Sequence, residues 1–455
     1  MYERGIRMKK DNDLGKDPIL PLVLKIAIPS MFAQFVSVLY SLVDRMYVGN
    51  IAGVGSLALA GIGICGPIVT MIGSVAFWIG VGGAPILSIR MGEERHDSAQ
   101  GILSNCFLML VIFSFTLFVI IWPLQEPMLH LFGASDIVYP YAKAYFQIYL
   151  LGTLFALLST GMNQFIIAQG YAMQGMLSVV MGAVCNIVFD PLFIFVFNLG
   201  VQGAAIATII SQMISSIYVC WFLLRKSQIS LTFKDYDYNI MKQVLLIGFA
   251  PFLIIAIDNV MIITMNAVLQ KYGGDIFVTC YAIVQSFMLV LTMPLSGISG
   301  GTQSILSYNY GACQSQRVLQ AQRYIILLCI GFSAFMFLFA QFGSPLFISC
   351  FTQNVQVQTL AYQSIRISTL AVIPLGIQYA IVDGFTAMAQ VRFSLVLSFW
   401  RKLVYFIAVF VLPLYFQAEY IFYAETISDI LGPIVSILVY IFSMKRILDL
   451  REKRR

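Results

Sequence analysis

Apolar residues run along this chain in stretches of about twenty, separated by short polar segments, and the pattern recurs from one end of the 455 residues to the other. A run of that length is what a helix needs to cross a hydrocarbon core. The runs are continuous rather than alternating, which selects helices over barrel strands, because backbone groups in lipid must pair within their own segment. Twelve spans follow, near 21–47, 57–80, 101–122, 139–166, 172–197, 202–224, 243–269, 277–300, 322–342, 359–388, 394–416 and 419–444. The expected fold class is an all-α membrane protein, twelve transmembrane helices in two six-helix lobes.

The longest polar connection, RKSQISLTFKDYDYN from Arg225 to Asn239, lies near the midpoint. It divides the chain into a tail (1–18), a first lobe (19–224), a linker (225–242), a second lobe (243–446) and a basic tail (447–455). The halves echo one another. GVGGAPILSIRMG (Gly80–Gly92), whose later part reads as the loop after the second span, resembles SGGTQSILSYNYG (Ser299–Gly311) at an offset of 219. NQFIIAQG (Asn163–Gly170) aligns with DGFTAMAQ (Asp383–Gln390) at 220. Two halves in the same register imply a parallel repeat, with a binding site between or within lobes near the midplane.

Composition agrees, with 60% hydrophobic and 11% charged residues against roughly 25% charged in a soluble domain. The first 20 residues are charged and lack a cleavable signal, so a short cytoplasmic tail is expected. The net charge of +6 is a matter of topology rather than of nucleic-acid binding. With both termini in the cytoplasm, 23 of the 27 Lys and Arg lie there, Lys143 and Lys271 lie outside, and Arg45 and Arg366 stand at helix positions. A multi-pass protein of the cytoplasmic (inner) membrane is expected, with the lipid bilayer as partner and a monomer as the default state. The eight cysteines are scattered singly and read as small hydrophobes.

An ionisable residue inside a membrane helix is costly, so each one is a candidate for function. Asp44, Asp190, Asp258 and Asp383 fall in the first, fifth, seventh and tenth spans, and Glu425 and Asp429 in the twelfth. Asn186 and Asp190 are four apart and share a helix face, and Pro191 removes the hydrogen bond that the Ile187 carbonyl would accept. A carboxylate, an amide oxygen and a freed carbonyl suit a hard cation such as Na+, or a desolvated carboxyl that exchanges a proton. Plain hydrogen bonding between helices is the structural alternative. Tyr379 and Asp383 repeat the four-residue spacing in the second half, where a phenol could orient the carboxylate, and Asp258 shares its helix with Asn259 and Asn266. GIGICG (Gly61–Gly66) matches a dinucleotide motif only literally, inside an apolar span. His96 and His130 read as loop residues on opposite sides of the membrane, which leaves no histidine metal site or catalytic triad.

With these residues in place, the sequence resembles the multidrug and toxic compound extrusion (MATE) family from Ile19 to about Arg446. The matching segments are PSMFAQFVSVLYSLVDRMYVGN (Pro29–Asn50), GGAPILSIRMGEE (Gly82–Glu94), NIVFDPLFIF (Asn186–Phe195), LGVQGAAIATIISQ (Leu199–Gln212) and SYNYGA (Ser307–Ala312). The resemblance implies a V-shaped pump of two lobes that exports organic cations or other amphipathic compounds in exchange for H+ or Na+, with no other cofactor. It places Asp44, Asn186, Asp190 and Thr208 on the family's N-lobe cation site, where Na+ is the metal implied, and Pro29 on the kink of the first helix. Tyr379 and Asp383 fall on an acidic position of the C-lobe used in another branch, which carries Glu in the seventh helix where this chain has only Asp258 nearby. The alternatives are a lipid-linked oligosaccharide flippase, which would line its cavity with several Arg, and an intramembrane enzyme, for which the necessary clustered His, Cys or paired carboxylates are not found. No enzymatic activity is expected.

Overall fold

The computed structural model describes residues 12–453, the side chains of residues 250 and 275 excepted. Residues 1–11, most of the expected N-terminal tail, and residues 454–455 lie outside the described residues. Among the described residues there are helices and no strands. The helices are α1 (Ile19–Gly49), α2 (Gly55–Gly92), α3 (His96–Leu131), α4 (Tyr139–Leu151), α5 (Thr153–Ala168), α6 (Ala172–Pro191), α7 (Val201–Arg225) and α8 (Tyr238–Gly273). They continue as α9 (Asp275–Gly311), α10 (Ser315–Leu338), α11 (Ser344–Ser349), α12 (Val355–Ser368), α13 (Val372–Ala387), α14 (Val391–Tyr415) and α15 (Tyr423–Glu452).

Among the described residues ten helical segments are each long and apolar enough to cross a membrane, and two bent pairs bring the number to twelve. The pairs are α4 with α5, bent by 57°, and α12 with α13, bent by 51°. With each pair counted as one span, the twelve expected spans appear in order. Gly152 forms the first joint, where an added Cβ would run into Ile209. Pro374 sits in the first turn of α13 just past the second joint, where a missing N–H costs no helical bond.

The chain forms two compact units. Unit 1 contains Phe32–Phe252 and the short stretch ending at Leu14; unit 2 contains Gly15–Met31 and Leu253–Arg455. Helices α1 and α8 are therefore each shared, and Pro29 and Pro251 lie within two residues of the points where they pass from one unit to the other. Within unit 1, α2 packs on α3, α4 and α5, α5 on α7, and α6 on α7. Within unit 2, α9 packs on α10, α12 and α13, α13 on α15, and α14 on α15. The same pairings in the same order make the second unit a parallel repeat of the first.

Backbone details fix the repeat at 219 residues from α2 to the end of α5. Ser88 donates to the Ala168 carbonyl and Ser307 to that of Ala387. Left-handed residues recur at Glu94 and Cys313, and at Gly170 and Ala389. At Gly82 in α2 a Cβ would meet α8 backbone at Val244 and Gly248, and at Gly301 in α9 it would meet Ser30 of α1. Small residues let helix backbones approach where lipid offers no hydrophobic drive for association. The alignment of Asn163 with Asp383 at 220 is thus one residue out, because the helix ends, not the side-chain similarity, set the register. Gln164 is the counterpart of Asp383.

Four further readings are corrected. The segment Gly82–Gly92 is not a loop but the last three turns of α2, with Ile86, Leu87, Ile89 and Met91 buried. His96 and His130 are not loop residues but stand at the two ends of α3, about 50 Å apart at 1.5 Å per residue. Arg401 and Lys402, counted with Arg392 as cytoplasmic, lie in the middle of α14 with mostly buried side chains. Arg45 and Arg366 are therefore not the only cations within spans.

The α2–α5 crossing gives a direct test of the packing. A Cβ on Gly80 would lie 2.9 Å from the Gly161 carbonyl oxygen, whereas at Gly63 in the same helix nothing lies within 4 Å. Gly80→Ala is expected to lower stability by about 1–3 kcal/mol. Gly63→Ala is expected to leave the melting midpoint in detergent unchanged or slightly raised.

Candidate functional site

Asp44 stands on the α1 segment that belongs to unit 1, five residues before the helix ends. Asn186 and Asp190 stand one turn apart on α6, 2% and 0% exposed. Helical spacing brings their side chains together, and Asn186 Nδ2 donates to Asp190 Oδ1 at 3.2 Å. Asp44 and Asp190 face one another across α1 and α6. Asp44 Oδ1, Asp190 Oδ2 and Asn186 Oδ1 are buried and, among the described residues, take no hydrogen bond. Three orphaned acceptor oxygens, two of them on facing carboxylates, form a donor set that fits a bound cation or a shared proton.

Pro191 ends α6 beside Asp190, and the chain continues in wider turns over Leu192–Val196. Thr208 on α7 donates to the Ala204 carbonyl one turn back. Its hydroxyl is thus committed to its own helix as a donor and keeps only lone pairs for a ligand. Arg45 is exposed, and its charge acts on the neighbouring Asp44.

Tyrosines surround the pair, and these were missed from sequence. Tyr40, one turn before Asp44, is buried within electrostatic reach of both carboxylates. Tyr145 and Tyr149 are buried on α4, with rings stacked at 6.3 Å; Tyr145 faces Asp44, and Tyr149 meets the Gln212 side chain. The four-residue spacings Tyr40–Asp44 and Tyr145–Tyr149 are the signal that could have found them.

In unit 2 the three candidate residues do not gather into one hydrogen-bonded group. Asp383 Oδ2 accepts from Ser299 Oγ at 2.5 Å. Asp258 instead pairs with Lys402 of α14. Tyr379 opens onto a cavity that it shares with Asp258, Arg401, Lys402 and Glu425. Arg401 in turn binds Asp429, Nη1 to Oδ1 at 2.8 Å, with Asp429 fully buried. These cations pair with the acidic residues of unit 2 and were missed because they were counted with Arg392 on the cytoplasmic side, although the expected span 394–416 contains them. Among the described residues no three His, Cys, Asp or Glu side chains are arranged to hold a metal ion.

The Arg401–Asp429 pair also bears on stability. Asp429→Asn leaves a buried guanidinium without its counter-charge, which costs about 3–5 kcal/mol, whereas the double change Arg401→Met with Asp429→Leu is expected to melt near the wild type. Thermal melting of the three proteins in detergent reads this out; equal losses in the single and double variants would contradict it.

Comparison with known proteins places this arrangement. The chain is 23% identical over 434 residues to the multidrug export protein MepA of Staphylococcus saprophyticus, covering 93% of this chain and 94% of that one. It superposes on an outward-facing multidrug resistance MATE family transporter of the MOP superfamily with a TM-score of 0.91 at 21% identity, over 97% of this chain and 99% of the other. The same score, identity and coverage hold for a MOP superfamily transporter from Pyrococcus furiosus. The family model MatE matches residues 29–192 and 252–412, the two repeat halves in turn. A matched family model over most of the chain, the twelve-span repeat and a fold shared with solved MATE structures lead to one conclusion: this chain belongs to the MatE family of multi-pass membrane transporters.

Proposed function

We propose that this protein is a secondary active multidrug exporter, moving organic cations or amphipathic compounds out of the cell in exchange for H+ or Na+ by alternating access. The observation that carries the coupling is the Asp44–Asp190 pair with its orphaned oxygens. Two carboxylates facing each other away from water cannot both stay ionised without a counter-cation. A proton or Na+ taken up there changes the charge where α1 meets α6. Pro29, where α1 passes between units, supplies the point at which that change is converted into a bend. The export of drugs is supported by the family and by the naming of its staphylococcal relatives as multidrug export proteins.

On this reading the ion binds from outside and lowers affinity for the drug, and its loss inside restores it. Linkage requires the converse as well: drug weakens ion binding by the same factor. The excess of Lys and Arg in alternate connections supports both termini in the cytoplasm, and 21 of the 27 remain on that side once Arg401 and Lys402 are moved into the span. The flippase reading gains the two cations of α14. Each of them, however, is paired with an aspartate and so is not free for a pyrophosphate.

Efflux of a fluorescent organic cation from proteoliposomes tests the proposal. Wild type is expected to drive efflux under an imposed pH or Na+ gradient, the effective gradient naming the ion. Asp44→Asn and Asp190→Asn are each expected to fall to the leak rate of protein-free liposomes. Gradient-driven efflux at the wild-type rate in both variants would remove the site, and no transport of any organic cation would favour the flippase.

A further inference from the structure

Unit 2 contains a cavity of about 180 Å³ between α8, α9, α13, α14 and α15. That is well above the ~10–15 Å³ that a single water requires. The helices α8, α14 and α15 are the repeat counterparts of α1, α6 and α7, so the cavity occupies in unit 2 the place that the Asp44–Asp190 pair occupies in unit 1.

Its charges do not cancel. Arg401 is paired with Asp429, and Lys402 with Asp258. Glu425, one turn before Asp429 on α15, lines the same cavity; its backbone carbonyl accepts from Ser428 Oγ, and among the described residues its carboxylate takes neither a hydrogen bond nor an ion pair. Two cations stand against three carboxylates, and Glu425 is the one of the three without an ion pair. Tyr281, Tyr379, Tyr405, Met261 and Met288 line the cavity with it, as do the polar side chains of Gln285, Thr292 and Ser428. A cavity of this volume exceeds what a small hard cation fills, and aromatic rings and polarizable sulfur beside a carboxylate that has no ion pair suit a large, weakly hydrated cation.

We infer that Glu425 anchors the ammonium group of a transported organic cation in this cavity, with the three tyrosine rings framing the charge. The assignment rests on the reading of the chain as an exporter of organic cations and gives that substrate a place. One unit then holds the coupling ion and the other holds the cargo, on equivalent helices. The ion pairs at Arg401 and Lys402 keep the two neighbouring cations from repelling the ligand.

The test is equilibrium binding of tetraethylammonium to the full chain in lipid nanodiscs. Glu425→Gln is expected to weaken binding tenfold or more, and Glu425→Asp less. A second measurement uses the wild type alone, so it stands even if a variant fails to fold. Carbodiimide labelling of Glu425, read by peptide mass spectrometry, is expected to fall when tetraethylammonium saturates the protein. Wild-type affinity in Glu425→Gln, or labelling of Glu425 that tetraethylammonium does not change, overturns the assignment while leaving the exporter reading intact. A wild type that binds neither tetraethylammonium nor the fluorescent cation used for efflux overturns both.

Discussion

A charge held in hydrocarbon must find its counter-charge within the protein, and most of what is distinctive here follows from how each carboxylate meets that demand. Asp429 and Asp258 meet it with Arg401 and Lys402 on the next helix. Asp383 takes a hydroxyl hydrogen from Ser299. Asp44 and Asp190 face each other, with Asn186 donating to Asp190, and Glu425 lines a cavity. The satisfied carboxylates build the scaffold, and on the proposed reading the unsatisfied ones take the exchangeable cations.

The repeat turns that division into a mechanism. Helices α6 and α7 in unit 1 and α14 and α15 in unit 2 hold corresponding positions, yet they carry different chemistry. Unit 1 opposes two carboxylates beside tyrosine hydroxyls, which suits a proton or a small ion. Unit 2 lines a cavity with rings, thioethers and a carboxylate that has no ion pair, which suits an organic cation. Helices α1 and α8 each belong to both units and carry a proline near the crossing, so a change of charge at one site has a covalent route toward the other.

The spans were legible in the sequence because a twenty-residue apolar run has one low-cost structure in lipid. The bends at Gly152 and before Val372 were not, since mean hydropathy carries straight through a broken helix. The Asn186–Asp190 contact could be read because it is local, four residues on one helix face. The partners of Arg401 and Lys402 lie 28 and 144 residues away, and no spacing rule reaches that far. Those two cations also stand side by side after Arg392, so the charge count put them on the cytoplasmic side with it although the expected span 394–416 contains them. The one-residue slip at Asp383 arose from matching side chains where backbone turns, visible only in three dimensions, set the register.

The central claim is that the Asp44–Asp190 pair holds the ion that the drug displaces. Ion release on drug binding, followed in weakly buffered solution by a pH indicator and in parallel by displacement of labelled Na+, tests it most directly. Wild type saturated with an organic cation is predicted to release one of the two ions, and Asp190→Asn to bind the drug and release neither. Drug binding to wild type without release of either ion, or release from Asp190→Asn equal to that of wild type, would contradict the account.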